Sequence, residues 1–121
     1  MTKGTITHVE FPADDPERAM RFYGAVAGWE FGGMEGFPDY HLFRTEEGHG
    51  GAIGLRNVSA PHTVRLYVTV DRLEDAVAAA EANGGTVCQP PSDVPGMGRY
   101  AAVHDPEGNE VGLWEDAPAA G

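Results

Sequence analysis

The chain has 121 residues, 41% of them apolar, enough for one packed domain or two small halves sharing a core. Its formal net charge of −11 disfavours a phosphate-backbone partner, and no apolar run approaches the ~18 residues that span a bilayer. The single cysteine, Cys88, excludes an internal disulfide and any multi-cysteine zinc site.

The first residues carry no apolar signal region, so a cytoplasmic protein is expected, with neither nucleic acid nor membrane as partner. Residues 5–11 alternate as a strand, with Ile6, His8 and Glu10 on one face and Thr7, Val9 and Phe11 on the other. Asp14 or Asp15 then caps a helix predicted over 15–27, with Pro16 at its first position and Gly28 ending it. Its apolar stripe is Ala19, Phe22, Tyr23 and Val26. A strand over 29–32, a loop over 33–38, a strand over 40–45, a turn over 46–51 and a strand over 52–56 complete the first half. Residues 57–62 link it to the second.

The second half repeats this order. A strand over 64–70 places Leu66, Val68 and Val70 on one face and Arg65, Tyr67 and Thr69 on the other. Asp71 caps a helix predicted over 72–83, which Gly84 and Gly85 end. A strand over 86–89, a proline- and glycine-rich loop over 90–98 and strands over 99–103 and 110–115 follow, before a small, loose tail over 116–121. The predicted core is Val9, Phe11, Phe22, Tyr23, Leu66, Val68, Val77, Val111 and Leu113.

The turn Asp105-Pro106-Glu107-Gly108-Asn109 leads into Val111-Gly112-Leu113, and Glu46-Glu47-Gly48 leads into Ile53-Gly54-Leu55 in the same way. Asp14 and Asp71 stand 57 residues apart, Tyr40 and Tyr100 60, and Gly54 and Gly112 58. These offsets predict a single domain over 1–121 built of two tandem βαβββ modules, about 5–58 and about 62–115.

His8-Val9-Glu10-Phe11, the run from Asp14 to Tyr23, Gly28-Trp29, Val70-Asp71, Gly84-Gly85 and the turn 105–109 together resemble the vicinal oxygen chelate superfamily. That group includes glyoxalase I, bleomycin- and fosfomycin-resistance proteins and extradiol dioxygenases. The resemblance extends to its uncharacterised glyoxalase-like branch. It implies an α+β fold whose modules form a curved mixed sheet around a concave cavity, and a homodimer.

The resemblance also implies a divalent cation held at four positions, which carry His8, Gly54, Arg65 and Gly112 here. Glycine has no side chain, and arginine is a permanent cation. At an effective dielectric of ~20, a +2 ion ~4 Å from Arg65 is repelled by roughly 8 kcal/mol. No metal or other cofactor is therefore expected. A divalent metal at His8, helped by Glu10 and Glu110, is the alternative. His41, His49, His62 and His104 show no paired ligand spacing and read as surface or edge residues.

By parity the concave face carries His8, Glu10, Arg56, Arg65, Tyr67, Thr69, Glu110 and Trp114. Two classes of function stay open on these residues. One is a small-molecule binding protein with Tyr67 and Trp114 as an aromatic wall and Arg65 seeking an anion. The other is a lyase- or isomerase-type enzyme, either glyoxalase-like with a metal or metal-free with His8 as acid or base.

Overall fold

Two βαβββ runs follow one another: β1 (Ile6–Ala13), α1 (Pro16–Ala27), β2 (Phe31–Met34), β3 (Phe37–Arg44) and β4 (Gly50–Leu55), then β5 (Arg65–Thr69), α2 (Leu73–Ala82), β6 (Thr86–Val94), β7 (Gly98–His104) and β8 (Glu110–Asp116). The structure is a computed structural model and describes residues 3–45 and 49–118. The expected turn Glu46-Glu47-Gly48 lies outside the described residues. The fold is α+β. Its residues group into two units, Thr7–Arg65 and Leu66 onward with the residues up to Ile6.

In the first unit the strand order is β2-β3-β4-β1, with β1 parallel to β4 and the other neighbours antiparallel. Helix α1 begins where the sequence marks it. Asp15 is extended and accepts a hydrogen bond from the Arg18 amide at 3.1 Å, Pro16 leads the first turn, and Gly28 closes the helix at φ 74°. An aromatic cluster fills the space between this helix and the sheet. Trp29 stacks on Phe43 at 3.9 Å between ring centroids, while Phe11 lies 5.1 Å from Tyr23 and 6.0 Å from Trp29. Ile53 on β4 is fully buried, a contribution of about 1.5–3 kcal/mol.

Phe22 corrects the predicted core, because it is 58% exposed, with its ring nearly perpendicular to that of Tyr23. One residue advances a helix by about 100°, so turning Tyr23 onto Phe11 and Trp29 carries Phe22 off the packed stripe. Val26, in the last turn of the helix, is exposed as well.

In the second unit the order is β5-β8-β7-β6, with β5 parallel to β8 and the rest antiparallel. Helix α2 packs on β6, β7 and β8, and its first residue, Leu73, is fully buried. Leu66 on β5 is 38% exposed, whereas Tyr67 and Thr69 on its other face are buried. The faces predicted from hydrophobicity are thus reversed in burial on this strand.

Asp71 does not cap α2. The preceding position is Arg72, with no side-chain cap, and the Leu73 amide donates instead to Glu115 Oε1 on β8 at 2.8 Å. A carboxylate from elsewhere in the chain takes the place of a local cap. Residues 90–94 form part of β6 and are not a loop. Pro90 and Pro91 are tolerated because β6 is the last strand in its unit's order and breaks register between Val87 and Gln89 and between Gln89 and Ser92. The tail is tied at its start, since Asp116 ends β8 and the Ala117 amide donates to the Met97 carbonyl.

Candidate functional site

Strand pairing brings three polar side chains together in the first unit. His8 and Glu10 point to the same face of β1, opposite Gly50 and Ala52 of β4. Tyr40 of β3 lies opposite Gly54 on that face. The intervening strand presents only glycine and alanine there, so the tyrosine reaches across it. Its hydroxyl donates to Glu10 Oε2 at 2.5 Å and lies 2.7 Å from His8 Nε2.

The Tyr40 hydroxyl has one proton, and Glu10 receives it. Nε2 of His8 must therefore carry the proton in the second contact, which leaves Nδ1 as the acceptor of the neutral ring. Burial pushes the His8 pKa below its usual value, opposed by the charge of Glu10. At neutral pH the ring is then a neutral base, and its orientation is held by a buried carboxylate through a phenol. Glu10 is 9% exposed, and a hydrogen bond to a charged acceptor of this kind contributes about 1.5–3 kcal/mol.

In the second unit the Tyr67 ring lies over Gly112 and meets Tyr100 edge-on at 6.4 Å. Thr69 is 2% exposed, and its amide donates to the Thr5 carbonyl. Trp114 lies against Gly98, and its indole N–H donates to Asp116 Oδ1 at 2.8 Å. Glu110 Oε1 lies 3.8 Å from His104 Nε2 and 3.9 Å from the Cys88 thiol. His8 and Glu10 thus belong to one unit with Tyr40, and Glu110 belongs to the other with His104 and Cys88.

Arg56 ties down the linker after β4. It pairs with Asp14 Oδ1 at 2.8 Å and donates to the His62 carbonyl at 2.7 Å. Arg65 is half-buried at the first position of β5. Residues 93–96, 98–99 and 115–118 border an open hollow of about 340 Å³, with Arg99 between Glu74, Asp93 and Glu115.

Register also corrects the internal alignment of the repeat. Glu10 pairs with Ala52, and Tyr67 pairs with Gly112. Glu10 and Tyr67 are related by the same 57 residues as His8 and Arg65, so Ala52, not Gly54, is the counterpart of Gly112. The hairpins agree, since Tyr40 faces Gly54 and Tyr100 faces Trp114. The matching of the two Ile/Val-Gly-Leu runs is therefore two residues out of step.

None of these positions supplies a donor in place of the glycines. Ala52 is fully buried, a Cβ on Gly54 would sit 2.8 Å from the Ala60 methyl, and one on Gly112 would run into the Tyr67 ring. With Arg65 as the remaining position, His8 is the sole donor of the set, and the residues do not fit the family's divalent cation.

Neither Tyr40 nor His104 is among the candidate residues that the sequence singles out. The signal for Tyr40 was present in the repeat: it matches Tyr100, and Glu10 matches Tyr67, so the Tyr40–Glu10 contact mirrors that of Tyr100 with Tyr67. His104 and Glu110 flank a tight turn and become cross-strand partners, which sequence spacing alone did not suggest.

A family model described as a glyoxalase-like domain matches residues 8–114. A glyoxylase-named protein, CFP32 of Mycobacterium bovis, is 31% identical over 118 residues, covering 95% of this chain and 45% of its own length. The chain spans under half of that relative. A glyoxylase-like domain-containing protein of Didymella fabae is 30% identical over 117 residues, covering 88% of this chain and 89% of that protein. Among solved structures, methylmalonyl-CoA epimerase from Mycobacterium tuberculosis matches with TM-score 0.67 at 17% identity, covering 95% of this chain and 89% of that one. A hypothetical protein from Bacillus halodurans matches with TM-score 0.68 at 15% identity, covering 99% of both. These likenesses show the fold. Among the described residues no helix is long and apolar enough to cross a membrane.

Proposed function

The chain belongs to the glyoxalase-like domain family, and from that premise we propose that it binds a small organic molecule and moves a proton on it without the family metal. The observation that carries this reading is the hydrogen-bonded run from His8 through Tyr40 to Glu10. A neutral imidazole accepts a proton from a weak carbon acid. Tyr40 and Glu10 hold its tautomer and stabilise the imidazolium that forms. Arg65 supplies a cation suited to a carboxylate or to the enolate oxygen that develops as the proton leaves. Chemistry of this kind requires a carbonyl next to the acidic C–H bond. The protein would act as a homodimer.

Proton exchange in deuterated water tests the proposal. Carbonyl compounds with an acidic neighbouring C–H, among them a thiol adduct of a 2-oxoaldehyde and methylmalonyl-CoA, are incubated with protein and a chelator and followed by NMR. Exchange that survives the chelator and falls at least tenfold in His8→Asn and Tyr40→Phe is the expected result. Exchange unchanged in both variants, or abolished by the chelator, would refute it. Tight binding of a compound with no exchange in the parent protein would leave sequestration as the function.

A further inference from the structure

Apart from the His8 run, a further group of chemically capable side chains converges among the described residues, and no two of its members are adjacent in sequence. Cys88, His104 and Glu110 come from three neighbouring strands of the second unit, β6, β7 and β8. One ligand atom from each lies within 4.8 Å of the others. From this geometry we propose that they form a binding site for a thiophilic divalent cation, Zn²⁺ above all. None of the three is a position at which the family resemblance places a metal ligand.

Local structure explains the convergence. His104 and Glu110 are cross-strand partners at the start of the β7–β8 hairpin. The turn between them is held from within, because the Asp105 carboxylate accepts from the amides of Glu107 and Asn109 and from the Asn109 side chain. Those hydrogen bonds hold the Asp105 carboxyl below the usual carboxylate range. Cys88 sits where β6 slips register, between Val87 opposite Val103 and Gln89 opposite Ala102. A bulge re-aims the side chain it carries, here toward Glu110.

The spacing suits a tetrahedral ion. With metal bonds of about 2.3 Å to sulfur and about 2.0–2.1 Å to nitrogen and oxygen, the sulfur–oxygen edge is about 3.5 Å and the nitrogen–oxygen edge about 3.3 Å. The protein sets these two edges at 3.9 and 3.8 Å and the sulfur–nitrogen edge within 4.8 Å. Closure needs a contraction of about half an ångström on the first two and up to about 1.3 Å on the third, which rotation of the exposed Cys88 and partly exposed His104 side chains supplies. Thiolate, imidazole and carboxylate together favour Zn²⁺ over Mg²⁺ or Ca²⁺, which take oxygen. Access is open on the solvent side: Cys88 is exposed and His104 is 39% exposed, while Glu110 is 7% exposed.

On binding, the Cys88 S–H bond breaks and an S–Zn bond forms, with the proton passing to solvent. His104 coordinates through the Nε2 lone pair and keeps its proton on Nδ1. Affinity therefore rises with pH. Three protein ligands leave the fourth position to water or an exchangeable anion.

The test uses reduced, chelator-treated full-length protein titrated with Co²⁺ alone and then with Zn²⁺. One equivalent of Co²⁺ should bind with a near-ultraviolet thiolate charge-transfer band, and Zn²⁺ should abolish that band while equimolar Mg²⁺ leaves it. Cys88→Ser should lose the band. Cys88→Ser, His104→Asn and Glu110→Gln should each weaken Zn²⁺ binding tenfold or more in competition with a chromophoric chelator, while His62→Asn should not. Because Cys88 is exposed, its serine variant keeps the fold, which a circular dichroism spectrum checks. Absence of the band in the parent, displacement by Mg²⁺, or Zn²⁺ binding by Cys88→Ser as tight as the parent's would overturn the proposal.

Discussion

Gly112→Ala should destabilise this protein, although it adds a single methyl group to a strand. The new Cβ would stand 2.7 Å from Tyr67 Cγ and closer still to Cδ2 and Cε2. Carbon atoms pack best about 3.5–4.0 Å apart, so the ring must retreat by roughly 1 Å. Tyr67 is 5% exposed and held between Gly112 and Tyr100, which leaves it little room to do so. Overpacking of this kind costs about 1–3 kcal/mol. Removing a glycine from a strand returns about 0.5–1 kcal/mol, so the net loss is up to about 2.5 kcal/mol. Urea unfolding followed by tryptophan fluorescence reads it as a lower midpoint at unchanged slope. In a Tyr67→Ala background the methyl group has space, and Gly112→Ala should become neutral or stabilising. The coupling between the two sites should be about 1–3 kcal/mol. Equal effects of Gly112→Ala in both backgrounds would refute the reasoning. The same contact predicts that Gly112→Glu, combined with Arg65→His, will not restore a metal site unless Tyr67 is also reduced.

His8 has a folded-state pKa below its unfolded value, so the unfolded chain binds more protons between the two. Stability should rise with pH through that window, which lies below about 6.5, and fall on acidification; His8→Asn should flatten the slope, and an unchanged profile would contradict the assignment. Glu115→Ala should cost about 1 kcal/mol by freeing the Leu73 amide at the start of α2, comparable to the loss of an ordinary cap. A chemical-denaturation midpoint equal to that of the parent would show that α2 needs no such partner. Light scattering at micromolar concentration should give a dimer mass, in keeping with exposed Phe22 and Val26 on α1, and a monomer mass would exclude the homodimer.

Sequence by itself determined the elements that depend on local chemistry. Asp15, Pro16 and Gly28 bound α1 because capping, a preset φ and a left-handed residue act within one turn of the chain. The double βαβββ order was legible for a similar reason, since the caps, turns and alternation that mark each module act locally and recur. What only the tertiary structure decided depends on partners distant in sequence. The cap of α2 comes from Glu115, 42 residues away, because an unsatisfied amide takes whichever acceptor packing brings to it. Tyr40 joins His8 and Glu10 only because β3 and β1 both flank β4, and the register across that strand also shows Ala52 to be the counterpart of Gly112. Parity assigns a side chain to a face, but which face is buried is set by where the helix and the opposing rings lie. Phe22 and Leu66 are therefore exposed, while Glu10, Tyr67 and Thr69 are buried.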